Sequence, residues 1–177
     1  MESKAKFLGH PIHQMLIVFP LGLLPVAVLA DIVAMVTGNN FWYQMAFYMI
    51  AAGIVGGLAA AVFGLIDFLA IPSGTRARRI GLLHGGGNVI VTGLFALSWY
   101  LRYLSPDYVP GNFAVTLSLL AIALALVTAW LGGELVDRLG VGVDPGANLD
   151  APSSLTNEPI NNTVVTDARF SQTRGAR

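Results

Sequence analysis

The chain has 177 residues, 55% of them hydrophobic and only 11% charged, and its ten Lys and Arg are matched by ten Asp and Glu. That balance excludes an ordinary soluble domain and gives no basic footprint for nucleic acid. The absence of cysteine excludes disulfides, thiolate zinc sites, cysteine-ligated iron–sulfur clusters and thioether-attached haem, so any metal or haem must be held by His, carboxylate or Met.

Four apolar stretches reach the roughly 20 residues that a helix needs to cross a bilayer core: residues 12–36, 43–70, 82–104 and 113–136. The first follows Lys4 and Lys6 and contains Val28-Leu29-Ala30, which imitates a secretory signal. Its apolar run is longer than a signal's hydrophobic region, and three more spans follow, so an uncleaved helix is expected. The fold class is therefore all-α: a polytopic membrane protein with a four-helix transmembrane bundle over residues 1–139. Beyond Gly140 the chain turns to Pro, Asn, Ser, Thr and Asp without an apolar period, and residues 140–177 are expected to form a polar, disordered cytoplasmic tail. Asn161-Asn162-Thr163 has the form of a glycosylation acceptor, but a cytoplasmic tail would not meet that machinery.

Orientation follows from the short loops. Lys4 and Lys6 precede the first span, and Arg76, Arg78 and Arg79 lie between the second and third, whereas residues 37–42 carry no charge. Both termini should then be cytoplasmic, with Phe41, Trp42, Tyr43, Trp99, Tyr100, Tyr103 and Tyr108 as an aromatic belt on the far side. Close helix contact is expected at the small-residue pairs Gly53/Gly57 and Gly81/Gly85 and at Gly132-Gly133. The Gly85-Gly86-Gly87 run after His84 marks a close backbone or ligand approach, and it lacks the context of a phosphate loop.

An alternating path places His10, His13, Asp67, His84, Glu134 and Asp137 near the cytoplasmic ends of the spans. His10 and His13 are three residues apart around Pro11, a spacing that would set both imidazoles on one side of a helix; Asn88 follows His84 by one turn, and Glu134 can reach Arg138 by the same spacing. Ionisable groups at membrane depth default to functional candidates, although the penalty eases near the interface. Three readings stand: a metal site of imidazole and carboxylate, a b-type haem held by His13 and His84, or a hydrogen-bonded and ionic network, with Asp67 or Glu134 facing the arginines of the cytoplasmic loop, that only ties helix ends together. With three histidines on one side, at most one such haem could be held. A relay of Asp67, His84 and Glu134 in a small proton or ion carrier ranks last, since no interrupted helices or inverted repeats accompany it. Asp31 and Arg102 fall near the opposite ends of their spans and suit a structural ion pair. No HExxH helix, Walker loop or Ser–His–Asp arrangement supports hydrolytic chemistry.

The stretch Gly9-His10-Pro11-Ile12-His13-Gln14-Met15-Leu16-Ile17-Val18-Phe19-Pro20-Leu21-Gly22 resembles the opening of a bacterial membrane family catalogued as domain of unknown function 2231. His84-Gly85-Gly86-Gly87-Asn88, Trp130-Leu131-Gly132-Gly133-Glu134-Leu135-Val136 and Gly140-Val141-Gly142-Val143 resemble its later blocks. The resemblance covers about residues 7 to 143 and carries over His10, His13, His84, Asn88 and Glu134, with Gln14 where many relatives have proline. Some similar proteins are joined to Rieske or cytochrome domains, which implies a redox setting without choosing a cofactor.

The expectation is thus a multi-pass protein of the bacterial plasma membrane that binds a metal ion or haem b for electron transfer or redox sensing. Its ligand candidates are His10, His13, His84, Asp67 and Glu134, supported by Asn88 and Arg138. Its surroundings are the lipid bilayer, a redox partner protein and a homo-oligomer or membrane complex. The alternative is a non-catalytic scaffold or accessory subunit whose polar layer is structural.

Overall fold

The computed structural model describes residues 1–156 and residue 158. The first structured element is a small hairpin, β1 (Lys6–Phe7) against β2 (His10–Pro11), with Phe7 opposite His10. Leu8 and Gly9 both have positive φ, 50° and 86°, the backbone of the two-residue turn that suits right-twisted strands. Pro11 then caps α1 (Ile12–Leu16), which passes through Ile17 into α2 (Val18–Thr37). Pro20 offers no N–H to the Leu16 carbonyl, which accounts for the interruption at this point.

Gly38 ends α2 in the left-handed conformation, its N–H bonded 2.8 Å from Ala34 O. The Asn39 side chain accepts from Phe41 N at the head of α3 (Phe41–Ala70). α4 (Arg76–Tyr103) starts six residues before the apolar span that reveals it, because Thr75 accepts the Arg78 N–H and adds an arginine-bearing turn. Hydropathy locates the crossing; the cap locates the helix. α5 (Asn112–Gly133) continues into a π-helical turn at Glu134–Arg138. The spans Ile12–Thr37, Phe41–Ala70, Arg76–Tyr103 and Asn112–Arg138 are all long and apolar enough to cross a membrane. Large apolar side chains on their outer faces, among them Val55, Val62, Val89 and Leu126, are exposed, as lipid contact requires.

α2 packs along α3 and α4 along α5, forming two helical hairpins joined chiefly through α3 and α4. Glycines on α3 admit the first hairpin's partner helix. A Cβ on Gly53 would lie 2.6 Å from Leu24 Cδ2, one on Gly56 2.5 Å from Phe19 Cβ, and one on Gly64 2.8 Å from His13 Nδ1. The close approach expected at Gly53 and Gly57 therefore falls at Gly53, Gly56 and Gly64; a Cβ on Gly57 would make only ordinary contact with Pro20. Gly81 is tight against Phe68, whereas Gly85 faces open space.

The buried core gathers Leu24, Ala27, Val28, Ala46, Ile50, Val91, Phe95 and Ala121. It fills the half of the bundle remote from the histidines. At that end Asp107 and Tyr108, with φ of 54° and 59°, form a turn closed by Val109 N on Pro106 O, and this lays the Tyr108 ring on Phe47 with centroids 4.0 Å apart. Trp99 stacks on the same Phe47 and Tyr103 on Trp99, so part of the expected aromatic belt is a packed column. Residues 140–156, within the expected tail, form turns that reach back to the first hairpin, where Ser154 Oγ bonds Leu8 O. Asn161-Asn162-Thr163 lies outside the described residues.

Candidate functional site

At the histidine end the dense packing stops. α1 has no buried residue, and α4 has none between Gly81 and Val91, yet His13 and His84 are neighbours in this region. Their ring centroids are 6.4 Å apart and their planes stand at 87°.

Both imidazoles are oriented in the same way. His13 Nδ1 lies 2.8 Å from Ala60 O on α3, and His84 Nδ1 lies 2.8 Å from Thr128 O on α5. A carbonyl oxygen can only accept, so each neutral ring carries its proton on Nδ1 and leaves a lone pair on Nε2. Glycines make room for both rings: Gly64 beside His13, and Gly132, where a Cβ would stand 3.0 Å from His84 Cε1. Gly87 lets Thr128 approach to 2.5 Å from where its own Cβ would be, which draws α4 and α5 together at the level of His84. Asn88 Nδ2 donates to His84 Nε2 at 3.3 Å, and the single Thr128 Oγ1 proton has two acceptors within reach, Asn88 Oδ1 at 2.9 Å and Ala125 O at 3.0 Å.

The other candidates lie elsewhere. His10 is not on the helix with His13; it sits on β2, exposed, with Nε2 3.3 Å from Ser154 Oγ, because the positive-φ Leu8-Gly9 turn makes a hairpin where three-residue spacing suggested a helical face. Asp67 binds the segment before that hairpin, accepting from Ser3 Oγ at 2.7 Å and Lys4 N at 2.6 Å. Glu134 pairs with Arg76 at 2.6 Å, not with Arg138, which is exposed together with Asp137 on the π-helical turn. Arg78 donates to Phe68 O and lies over the Phe68 ring. Among the described residues no group of three or more His, Asp or Glu is assembled as a metal-ligand set.

Asp31 and Arg102 meet at the far end. Both Arg102 terminal nitrogens bond the carboxylate, at 2.7 and 2.6 Å, and Ser98 and Ser118 complete the shell. Sequence reasoning based on ionisable groups missed those serines, Thr128 and the backbone carbonyls of Ala60 and Thr128. Ser98, Ser118 and Thr128 could have been found as small polar residues deep inside apolar runs, where each needs a partner. Carbonyl partners leave no mark in a sequence.

A family model described as predicted membrane protein (DUF2231) matches residues 9–145. No curated protein and no solved structure matches the chain.

Proposed function

The chain belongs to the DUF2231 family of predicted membrane proteins, and from the site geometry we propose that it is a membrane redox protein in which His13 and His84 hold one b-type haem. The observation that carries this reading is the adjacent pair of imidazoles, each with Nδ1 donated to a backbone carbonyl. Ligating histidines are held in this way, with the second nitrogen left to the metal. The ring centroids are 6.4 Å apart, so His13 and His84 could hold one group between them.

Haem is preferred to a bare metal ion because of the ligand count. A structural or catalytic ion needs three or four protein ligands, but Asp67, Glu134 and His10 are engaged with Ser3, Arg76 and Ser154. Haem brings four nitrogens of its own and asks the protein only for axial ligands. Its chemistry when bound would be one-electron transfer; His13 and His84 would hold it, with Gly64 and Gly132 giving the rings room. Lys4, Lys6, Arg76, Arg78 and Arg79 gather at the histidine end, which favours a cytoplasmic position for that end in a bacterial plasma membrane and a redox partner on that side. Haem titration of protein purified in detergent tests the reading: one haem per chain is expected, with uptake abolished by His13→Ala and by His84→Ala. Uptake that survives both changes overturns it.

One observation favours a structural reading. Asn88 and Thr128 satisfy His84 on both nitrogens, as a polar lock between α4 and α5 would. Under that reading the purified protein takes up no haem, and His84→Ala lowers stability alone.

A further inference from the structure

We infer that Asn88 is a latch on the axial position of His84, so that the strength of its hydrogen bond sets how readily the site loads; this rests on the haem reading above. The direction of both bonds at His84 is fixed. Thr128 O accepts from His84 Nδ1, which leaves Nε2 without a proton; Nε2 therefore accepts from Asn88 Nδ2, and the remaining Asn88 oxygen accepts from Thr128 Oγ1. The lone pair that would bind iron is the one that Asn88 covers.

The latch is weak by geometry and well placed to open. Its bond to His84 is 3.3 Å, longer than the 2.8 Å bond that orients the ring from the other side. Release leaves the ring in place, because the Nδ1 contact belongs to the backbone of a buried residue on α5. Release also leaves Thr128 with a partner, since its hydroxyl proton can turn to Ala125 O, 3.0 Å away. Opening the latch would thus cost one long hydrogen bond and leave the contact between His84 and α5 in place. His13 has no such side-chain cover among the described residues, so the two imidazoles are unequal: His13 Nε2 is uncovered and His84 Nε2 is guarded.

The test is haemin binding to the full chain in detergent. Asn88→Leu keeps the side chain's bulk and removes the donor, leaving Nε2 bare. Losing a competing hydrogen bond of ordinary strength should tighten haemin binding by roughly 2- to 10-fold and speed loading. Thr128→Val keeps the backbone carbonyl on His84 Nδ1 and removes only the support of Asn88, so it should act in the same direction; it carries the comparison if Asn88→Leu does not fold. A residue that merely stabilised the site would weaken binding when changed, so the sign of the effect decides. Wild-type protein that binds one haemin while the variants bind equally or less tightly overturns the latch and leaves the haem reading intact. Absence of haemin uptake by wild type and variants alike overturns both.

Discussion

Arg102 grips Asp31 through both terminal guanidinium nitrogens where neither side chain reaches solvent: Arg102 is 0% exposed and Asp31 1%. The pair joins α2 of one helical hairpin to α4 of the other, and Ser98 and Ser118 bring in α5. A buried pair of this kind contributes little over an apolar replacement, but breaking it strands a charge at a cost of about 3–5 kcal/mol. The two partners are unequal, because an orphaned Asp31 can take up a proton whereas an orphaned Arg102 cannot lose one. Thermal unfolding in detergent should therefore rank Asp31→Asn as more damaging than Arg102→Met, with Asp31→Leu combined with Arg102→Met recovering most of the loss. Equal and small shifts for both single changes would contradict this account.

Gly64 is predicted to support the site by leaving room for the His13 ring. A methyl group there would stand 2.8 Å from His13 Nδ1 and push the ring off Ala60 O. Loss of such a carbonyl partner weakens metal binding by roughly 10- to 100-fold. Gly64→Ala should show that loss in a haemin titration, while Gly57→Ala, whose Cβ meets only Pro20 at 3.6 Å, should bind as wild type does.

The acidic residues and His10 are predicted to be dispensable for loading. Glu134→Gln breaks a contact with Arg76, whose side chain is half exposed, and should cost no more than about 1 kcal/mol. Asp67→Asn disturbs the anchor of Ser3 and Lys4 and should lower stability by about 1–3 kcal/mol. His10→Ala removes only the contact with Ser154. Haem content per chain in the three variants should equal wild type; a deficit in any of them would return that residue to the ligand set.

The fold is more legible in the sequence than the site. Four spans emerge from hydropathy because length and apolarity are what a bilayer demands, and the resemblance at residues 9–22 agrees with the family match. Ends are less legible, as Arg76 shows, since a cap at Thr75 extends α4 through residues that hydropathy rejects. The site is read only in part. His13 and His84 stand out as imidazoles near apolar segments, but the placement of His10 depends on a left-handed turn at Leu8, and Asp67 is taken by a serine 64 residues away in sequence. Long-range partners and backbone acceptors have no local signature, so a cluster of six ionisable groups in sequence becomes one adjacent pair in space.

The central claim is tested most directly by the visible spectrum of detergent-purified protein from cells supplied with haem, recorded oxidised and reduced. A Soret band with sharp α and β bands on reduction, one haem per chain, and loss of both in His13→Ala and His84→Ala is the predicted result. A colourless protein, or a haem spectrum unchanged by those substitutions, would contradict it.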